Sequence, residues 1–171
     1  MFDQSVINYE VYEDNNTYLG ITDTTLPNIS FLTQTISGAG IGGNVDAVIT
    51  SMVDAMNLTF NWRMSTPRTF QLAEPRSHTL TLRVAQQYED PVAAALGVES
   101  VKHVLRVIPK NYNFGALQAA NPNNGSGEYA VRYWAVFSNG KKLIEIDPLN
   151  NKCLINGVDY AAPVRKALGK A

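Results

Sequence analysis

Alternation of apolar and polar side chains runs along most of this chain and predicts a domain built mainly from β-strands. In the segment 56–64 every second residue, from Met56 to Met64, is apolar, and the residues between them are polar. A period of two is typical of a strand with one buried and one exposed face. The same pattern, less complete, predicts strands near residues 7–11, 17–22, 29–36, 79–88, 101–109, 128–138 and 141–147.

Turn and cap residues divide these strands. Asn139-Gly140 and Asn156-Gly157 are strong signals for two-residue hairpin turns, because both central positions of a type I′ turn need a positive φ. Proline in a first turn predicts short helices at 67–73, 91–95 and 161–170. We therefore expect a mainly-β fold, a sandwich or barrel of about eight short strands with two or three short helices.

One segment departs from the strand pattern. The glycine run 38–43 precedes apolar residues at helical spacing, which predicts an amphipathic helical arm within 38–56. The members of the apolar stripe are Val45, Val48, Ile49, Met52, Val53 and Met56.

The glycine run also contains a formal G-x-G-x-x-G motif, so a dinucleotide-binding enzyme has to be considered. Against it, the preceding strand 31–36 is half polar, whereas the first strand of a doubly wound sheet is buried on both faces. The next strand ends at Arg63 without the acidic residue that would hold a ribose. The simpler interpretation is a flexible loop that leads into the arm.

Composition excludes several other classes of protein. The 171 residues carry a net charge of −1, which gives no general electrostatic reason to bind nucleic acid. The single cysteine, Cys153, lies in a strand pattern and is expected to be an inert thiol. His78 and His103 also lie in strand patterns, without acidic residues at ligand spacing, so we expect structural histidines. No catalytic, metal-binding or cofactor-binding residues are predicted.

The sequence shows no feature of a membrane or secreted protein. The first residues lack a basic segment followed by an apolar one, and no apolar run approaches the length of a membrane span. We expect one domain over 1–171, without a membrane anchor, made in a cytoplasm.

Several short motifs resemble a known family. The runs EIDPLN (145–150), INGVD (155–159) and VRKALG (164–169) resemble the C-terminal signature of the major tail tube proteins of contractile-tailed bacteriophages and the related R-type pyocins. The Leu-Pro turn at 25–29, followed by the glycines of 37–40, resembles the family's N-terminal part. The matches occur in the family's order and bracket nearly the whole chain.

This resemblance implies a structural virion protein, not an enzyme, with strands that join into an inner β-barrel of hexameric rings. The rings would stack into the tail tube inside a contractile sheath. The partners implied are the sheath, baseplate or hub, and tail terminator proteins, with tape-measure protein and DNA in the lumen. The protein would be made in the cytoplasm of a host bacterium and end in the virion tail or a pyocin-like particle.

The resemblance also assigns roles to surfaces. The arm within 38–56 would reach a neighbouring subunit. The loop 112–127 does not match the family pattern; its Asn, Gly, Ala and Ser residues predict a mobile surface loop. Strands near 30–36, 56–64, 77–88 and 101–110 would form the inner barrel. A lumen that conducts DNA should be polar and uncharged, so Arg63 and Arg83 fit it poorly. Its expected wall residues are Asn57, Thr59, Asn61, Thr79 and Thr81.

Three alternatives stay open. A type VI secretion tube protein would share the architecture, although the EIDPLN and INGVD runs favour the phage family. A dinucleotide-binding enzyme would show a thermal shift with NAD or NADP. A monomeric β-sandwich binding module would remain a single species at any concentration.

Overall fold

The fold is organised by one large antiparallel sheet. This computed structural model describes residues 1–20 and 22–170, in which twelve strands and two α-helices form. The strands are β1 (Phe2–Glu13), β2 (Thr17–Tyr18), β3 (Thr22–Thr25), β4 (Phe31–Ile36), β5 (Val45–Val53), β6 (Met56–Trp62), β7 (His78–Asp90), β8 (Ala95–Asn113), β9 (Ser126–Ser138), β10 (Lys141–Asp147), β11 (Lys152–Ile155) and β12 (Val158–Asp159). The helices are α1 (Pro67–Gln71) and α2 (Ala162–Ala167).

Ten strands share the main sheet, and β4 pairs with β5 in a separate two-stranded ribbon. The path of the main sheet runs β12-β11-β10-β9-β8-β7-β1-β2, and β6 joins it at β9 and carries β3. Strand β8 pairs along the length of β9, so β6 and β10 occupy the other edge of β9, one on each half. The mainly-β prediction is confirmed.

The core lies on one face of this sheet. From β6 it receives Met56, Leu58, Phe60 and Trp62, each at most 3% exposed. Leu80 and Leu82 of β7 and Leu105 of β8 pack into the same cluster. Because side chains alternate along a strand, the residues between these positions point to the opposite face of the sheet. The complete alternation of 56–64 is therefore a true strand signal.

The hairpin turns follow their turn chemistry. Asn139 and Gly140 have φ values of 48° and 82°, and Asn156 and Gly157 have 51° and 82°. These pairs connect β9 to β10 and β11 to β12, as predicted. Local sequence alone fixes the register of both hairpins.

Two predicted helices are confirmed and one is wrong. Helix α1 begins after Thr66, whose hydroxyl accepts a hydrogen bond from the Thr69 backbone N–H, and α2 lies inside the predicted segment 161–170. In contrast, residues 91–94 form a turn that joins β7 directly to β8. The Asp90 carboxylate accepts a hydrogen bond from the Val92 backbone N–H at 3.0 Å and stabilises that turn. Neither α1 nor α2 is long and apolar enough to cross a membrane.

The alternation of β10 predicts Glu145 to be exposed on the face opposite the buried Ile146, but Glu145 is only 4% exposed. Lys152 contacts its carboxylate at 2.7 Å, Lys142 forms a second ion pair, and the Tyr133 hydroxyl donates to it at 3.2 Å. Burial opposes ionisation, but hydrogen bonds from the two lysines outweigh it and lower the pKa of Glu145 to about 2. This carboxylate thus ties together β9, β10 and β11.

The Glu145 cluster predicts an acid-sensitive contribution to stability. The folded pKa lies below the ordinary value of 4.5, so the contribution is complete above about pH 4.5 and is lost as the pH falls towards 2. We expect Glu145→Gln to lower the free energy of unfolding by about 3 kcal/mol at pH 7 and to remove this dependence. Urea unfolding from pH 2 to 7 measures it. Glu128→Gln, at an exposed pair with Lys110, should change stability by less than about 1 kcal/mol. An equal loss in both variants would contradict the assignment.

Candidate assembly surfaces

The predicted arm is a β-hairpin instead of a helix. Strands β4 and β5 pair antiparallel, with Ile36 opposite Val45 and Thr33 opposite Val48. The glycine run forms the connection between them. We call residues 31–53 the arm. Because the glycine run leads into a strand, the helix N-terminus that a dinucleotide site requires is not present there, and the basis for that hypothesis is lost.

The arm carries apolar side chains that the chain itself does not cover. Val45, Val48, Ile49 and Met52 are 56%, 55%, 43% and 48% exposed. Val53 is half-buried at the base, where it packs against the core beside Phe31. Met56 is wrongly included in the stripe, since it lies in β6 and is 3% exposed. An isolated two-stranded hairpin is marginally stable in water, so an apolar arm of this kind is suited to a contact with another molecule.

The five expected wall residues share one face of the main sheet. Asn57, Thr59 and Asn61 alternate with the buried residues of β6, and Thr79 and Thr81 alternate with Leu80 and Leu82. All five therefore project from the face opposite the core. These five residues differ in their exposure to solvent. Thr81 is only 1% exposed and its hydroxyl donates to Asn15 Oδ1 at 2.7 Å, so it cannot line an open surface.

The strands expected in the inner barrel need two corrections. Strand β4, which corresponds to the expected 30–36, belongs to the arm and not to the main sheet. Strand β9 lies between β6 and β8 and was not included. The contiguous set is therefore β6-β9-β8-β7. Sequence alternation assigned the faces of β6 and β7 but could not reveal which strands are neighbours.

The segment between β8 and β9 is shorter than the expected loop 112–127, because β8 continues through Asn113 and β9 begins at Ser126. Asn123 fixes it: its side-chain carbonyl accepts from the Ser65 backbone N–H at 3.0 Å, and its backbone carbonyl accepts from Ala116 at 2.9 Å. A Cβ at Gly115 would meet the Asn123 carbonyl oxygen at 1.8 Å, so glycine is required there. Leu117, 96% exposed, lies on this segment. That the segment between β8 and β9 is mobile stays a prediction.

Both histidines are structural in their contacts. His78 is fully buried, with Nδ1 2.7 Å from Glu13 Oε1 and Nε2 2.9 Å from the Glu74 carbonyl oxygen. Trp134 Nε1 donates to His103 Nδ1 at 3.2 Å, and burial lowers the pKa of His103. Across the described ranges 1–20 and 22–170, no group of His, Cys, Asp and Glu residues could hold a metal ion.

Comparison with solved structures gives the class of this fold. It is similar to a chain of the extended sheath–tube complex of the extracellular contractile injection system PVC, with TM-score 0.52 and 10% identity over 77% of this chain and 88% of that chain. It is also similar to a chain of the extended PVC sheath/tube terminator, with TM-score 0.56 and 10% identity over 80% of this chain and 98% of that chain. At this identity the likeness shows the fold, which is the mainly-β tail-tube fold.

The family follows from the sequence. The family model of the phage tail tube protein FII matches residues 3–169, and the chain belongs to this family. No curated protein matches it significantly. The resemblance carried by EIDPLN and INGVD is thereby confirmed. The chain is a structural protein of a phage-type tail tube, and its family is not one of enzymes.

Proposed function

We propose that this chain forms hexameric rings, which stack into the inner tube of a contractile phage tail or a tail-like particle. The tube would be a conduit for tape-measure protein and DNA. It would be surrounded by a sheath, seated on a baseplate or hub and closed by a terminator. The protein would be made in the cytoplasm of a host bacterium before it enters the particle.

The observation that carries this proposal is the arm. A hairpin with four largely exposed apolar side chains, packed on the core at Phe31 and Val53, requires a partner surface to exclude water from it. In a protein of the tail tube family, the surface present at the highest concentration is another copy of the chain. The printed descriptions of the similar PVC chains, a sheath–tube complex and a sheath/tube terminator, support a sheath and a terminator as further partners.

Open sheet edges support the same conclusion. Strands β2, β3 and β12 end the paths of the main sheet within the described residues, and each leaves backbone groups free to pair. Closing the sheets of several copies into one barrel removes such edges. A barrel with many strands has an aqueous lumen, and Asn57, Thr59 and Asn61 give their face polar, uncharged side chains that suit such a wall. The charges beside them, Lys110 and Glu128, form an ion pair at 3.4 Å, and Lys110 also donates to Asn57.

Size-exclusion chromatography with light scattering, combined with negative-stain images of the same fractions, tests the proposal. Rings or tubes with a central hole are the expected result. A single species that stays monomeric at all concentrations would contradict the proposal and favour a monomeric binding module. A terminator-like role would instead give single rings that do not stack.

Chemical accessibility tests the proposed wall. In assembled tubes, we expect Asn57→Cys to react with a small maleimide but to react at least an order of magnitude more slowly with a polymer-linked maleimide, since the bulky reagent enters a lumen poorly. In the unassembled chain both reagents should react, because Asn57 is exposed. The native Cys153 is buried and gives the background. Equal reaction with the bulky reagent in tubes would place Asn57 outside, and protection from both reagents would place it in an interface.

A further inference from the structure

One end of the main sheet is acidic and has no basic side chain. Residues 1–8 and 85–100 form the outer ends of β1, β7 and β8, and we call them the acidic wing. They contain Asp3, Glu89, Asp90 and Glu99 but neither lysine nor arginine. The wing contributes nothing to the buried core, and Phe2, Leu96 and Val98 are 62%, 67% and 64% exposed on it. It is a protruding surface with carboxylates beside uncovered apolar side chains.

A row of cations crosses the same sheet at the base of the wing. Arg83 of β7 lies directly opposite Lys102 of β8, which lies opposite Phe137 of β9, which in turn lies opposite Lys142 of β10. We call Arg83, Lys102 and Lys142 the basic row. Like charges directly opposite each other destabilise a sheet. The pairing of Arg83 with Lys102 therefore has an energetic cost, which Glu10, opposite Arg83 on its other side, offsets for Arg83 but not for Lys102.

Aromatic rings hold these cations in place without neutralising them. The Arg83 guanidinium lies 4.4 Å from the centre of the Tyr12 ring, and the Lys102 ammonium lies 4.7 Å from the centre of the Phe137 ring. In the part of the chain that the structure describes, Arg83 and Lys102 form no ion pair with a carboxylate. Lys142 already contacts Glu145. Arg83 also lies opposite Glu10 of β1, so the member of the row that is ordered, exposed and without a carboxylate opposite it is Lys102.

Asp3, Glu89 and Asp90 of the acidic wing cannot reach the basic row of their own chain, whereas Glu99 lies three residues before Lys102 and lines the same cleft as Arg83. The wing and the row lie on the same strands, and Glu89 follows Arg83 by a distance of about 20 Å along an extended strand. An acidic surface and an ordered basic surface that lie apart on one chain are suited to a heterologous contact, in which the acidic surface of one copy meets the basic surface of the next. Such contacts close into rings or continue as a filament.

From this geometry, and resting on the proposed self-assembly, we infer that the acidic wing of one copy docks on the basic row of another. The contact would place carboxylates near Arg83 and Lys102 and would cover apolar side chains of the wing. Nucleic acid is the weaker occupant. The Tyr12 ring is covered by Arg83, the Phe137 ring has both Lys102 and Lys142 against it, and the chain's net charge of −1 supplies no general attraction for phosphate.

Charge reversal on both surfaces tests the contact. We expect Arg83→Glu with Lys102→Glu to prevent assembly, because two acidic surfaces then face each other. Asp3→Lys with Glu89→Lys should raise the concentration needed for assembly. Neither Asp3 nor Lys102 forms an ion pair in the described residues, and circular dichroism checks that both variants fold.

Mixing is the decisive step. Copies with the substituted row should fail to assemble alone, and copies with the substituted wing should need a higher concentration, but a mixture should assemble as the wild type does. In an alternating ring, the lysines introduced at positions 3 and 89 face the carboxylates introduced at positions 83 and 102, and the unchanged wing faces an unchanged row. A ring with an even number of copies can close in this way. One chain with all four changes should also assemble. In both cases light scattering and negative-stain images give the readout, and added salt should weaken the wild-type contact.

The control separates this contact from a general charge effect. Lys166→Glu with Lys170→Glu, both exposed near the C-terminus, changes the net charge as much as the reversed row does. This control variant should assemble as the wild type does. Combining it with Asp3→Lys and Glu89→Lys should not restore assembly.

Three results would overturn the inference. If the wild-type chain forms tubes but mixing does not restore assembly of the folded variants, this contact is refuted and the proposed function stands. A reversed row that assembles normally but loses DNA retained by wild-type tubes would assign the row to nucleic acid. A wild-type chain that never assembles would refute the proposed function and this contact together.

Discussion

Replacing Val45 and Val48 by aspartate is expected to leave the folded chain intact and to abolish its assembly into rings. Both side chains are more than half exposed in the single chain. Substitutions at such positions change the free energy of unfolding by no more than about 0.5 kcal/mol. In an assembly, each valine that becomes buried would contribute about 2 kcal/mol. A carboxylate in its place would be buried without a partner, which is strongly unfavourable.

Val45 and Val48 lie on opposite faces of the arm. Val45 lies opposite Ile36 and Val48 opposite Thr33, and because their positions differ by three residues they project from opposite faces of the ribbon. Light scattering and negative-stain images measure assembly, and calorimetry measures the melting temperature. Leu149→Asp with Leu168→Asp is the matched control, since these residues are 70% and 60% exposed outside the arm. Tubes formed by the Val45/Val48 variant, or a large loss of thermal stability in it, would contradict the role of the arm.

The arm also shows where sequence patterns lose their meaning. Apolar residues at helical spacing indicate a helix when one stripe packs on a core. Here no stripe does so, because β5 pairs only with β4 and most of its side chains face solvent. The apolar positions are distributed over two faces of a ribbon. The period of two in β6 arises because one of its faces is buried within the chain. Strand β5 has no face buried in this way.

A turn can be predicted from the sequence when one local interaction determines its conformation. Asn139-Gly140 supplies two positive φ values and gives the expected hairpin. Asp90-Pro91 is ambiguous, because an acidic residue followed by proline begins both helices and type I turns. The structure has a turn there, completed by Ala94 with φ 50°. An alanine in the left-handed region gives no signal in the sequence, so the β7–β8 hairpin was missed.

Long-range pairing explains the other differences. Alternation correctly places Glu145 on the face opposite Ile146, but only the approach of Lys142 and Lys152 buries it. In the same way, the pattern identified the strands β6, β7 and β8 but not the position of β9 between two of them. The candidate wall could be predicted as a set of side chains on one face. The acidic wing and the basic row become visible only when the register joins β1, β7, β8, β9 and β10.

Glu13→Ala is expected to cause the largest loss of stability among single changes at polar residues. Glu13 is 3% exposed, and it contacts the fully buried His78 at 2.7 Å and the Arg76 guanidinium at 3.1 Å. Removing the carboxylate leaves the imidazole Nδ1 of His78 buried without its partner. Breaking a buried pair in this way costs about 3–5 kcal/mol. For a domain of this size the melting temperature should fall by roughly 10 °C.

Matched variants separate the buried contact from the ion pair with Arg76. Glu74 contacts the same arginine at 2.7 Å, but its side chain is 52% exposed, so Glu74→Ala should cost less than about 1 kcal/mol. Replacing Glu13 and His78 together by leucine should recover part of the loss, because no polar group is then left unpaired. Equal losses in Glu13→Ala and Glu74→Ala would refute this account. The cluster joins β1 to β7 near the end of the sheet farthest from the acidic wing. A destabilised Glu13 variant that still assembles when folded would therefore show that this end supports the fold and not the contact between copies.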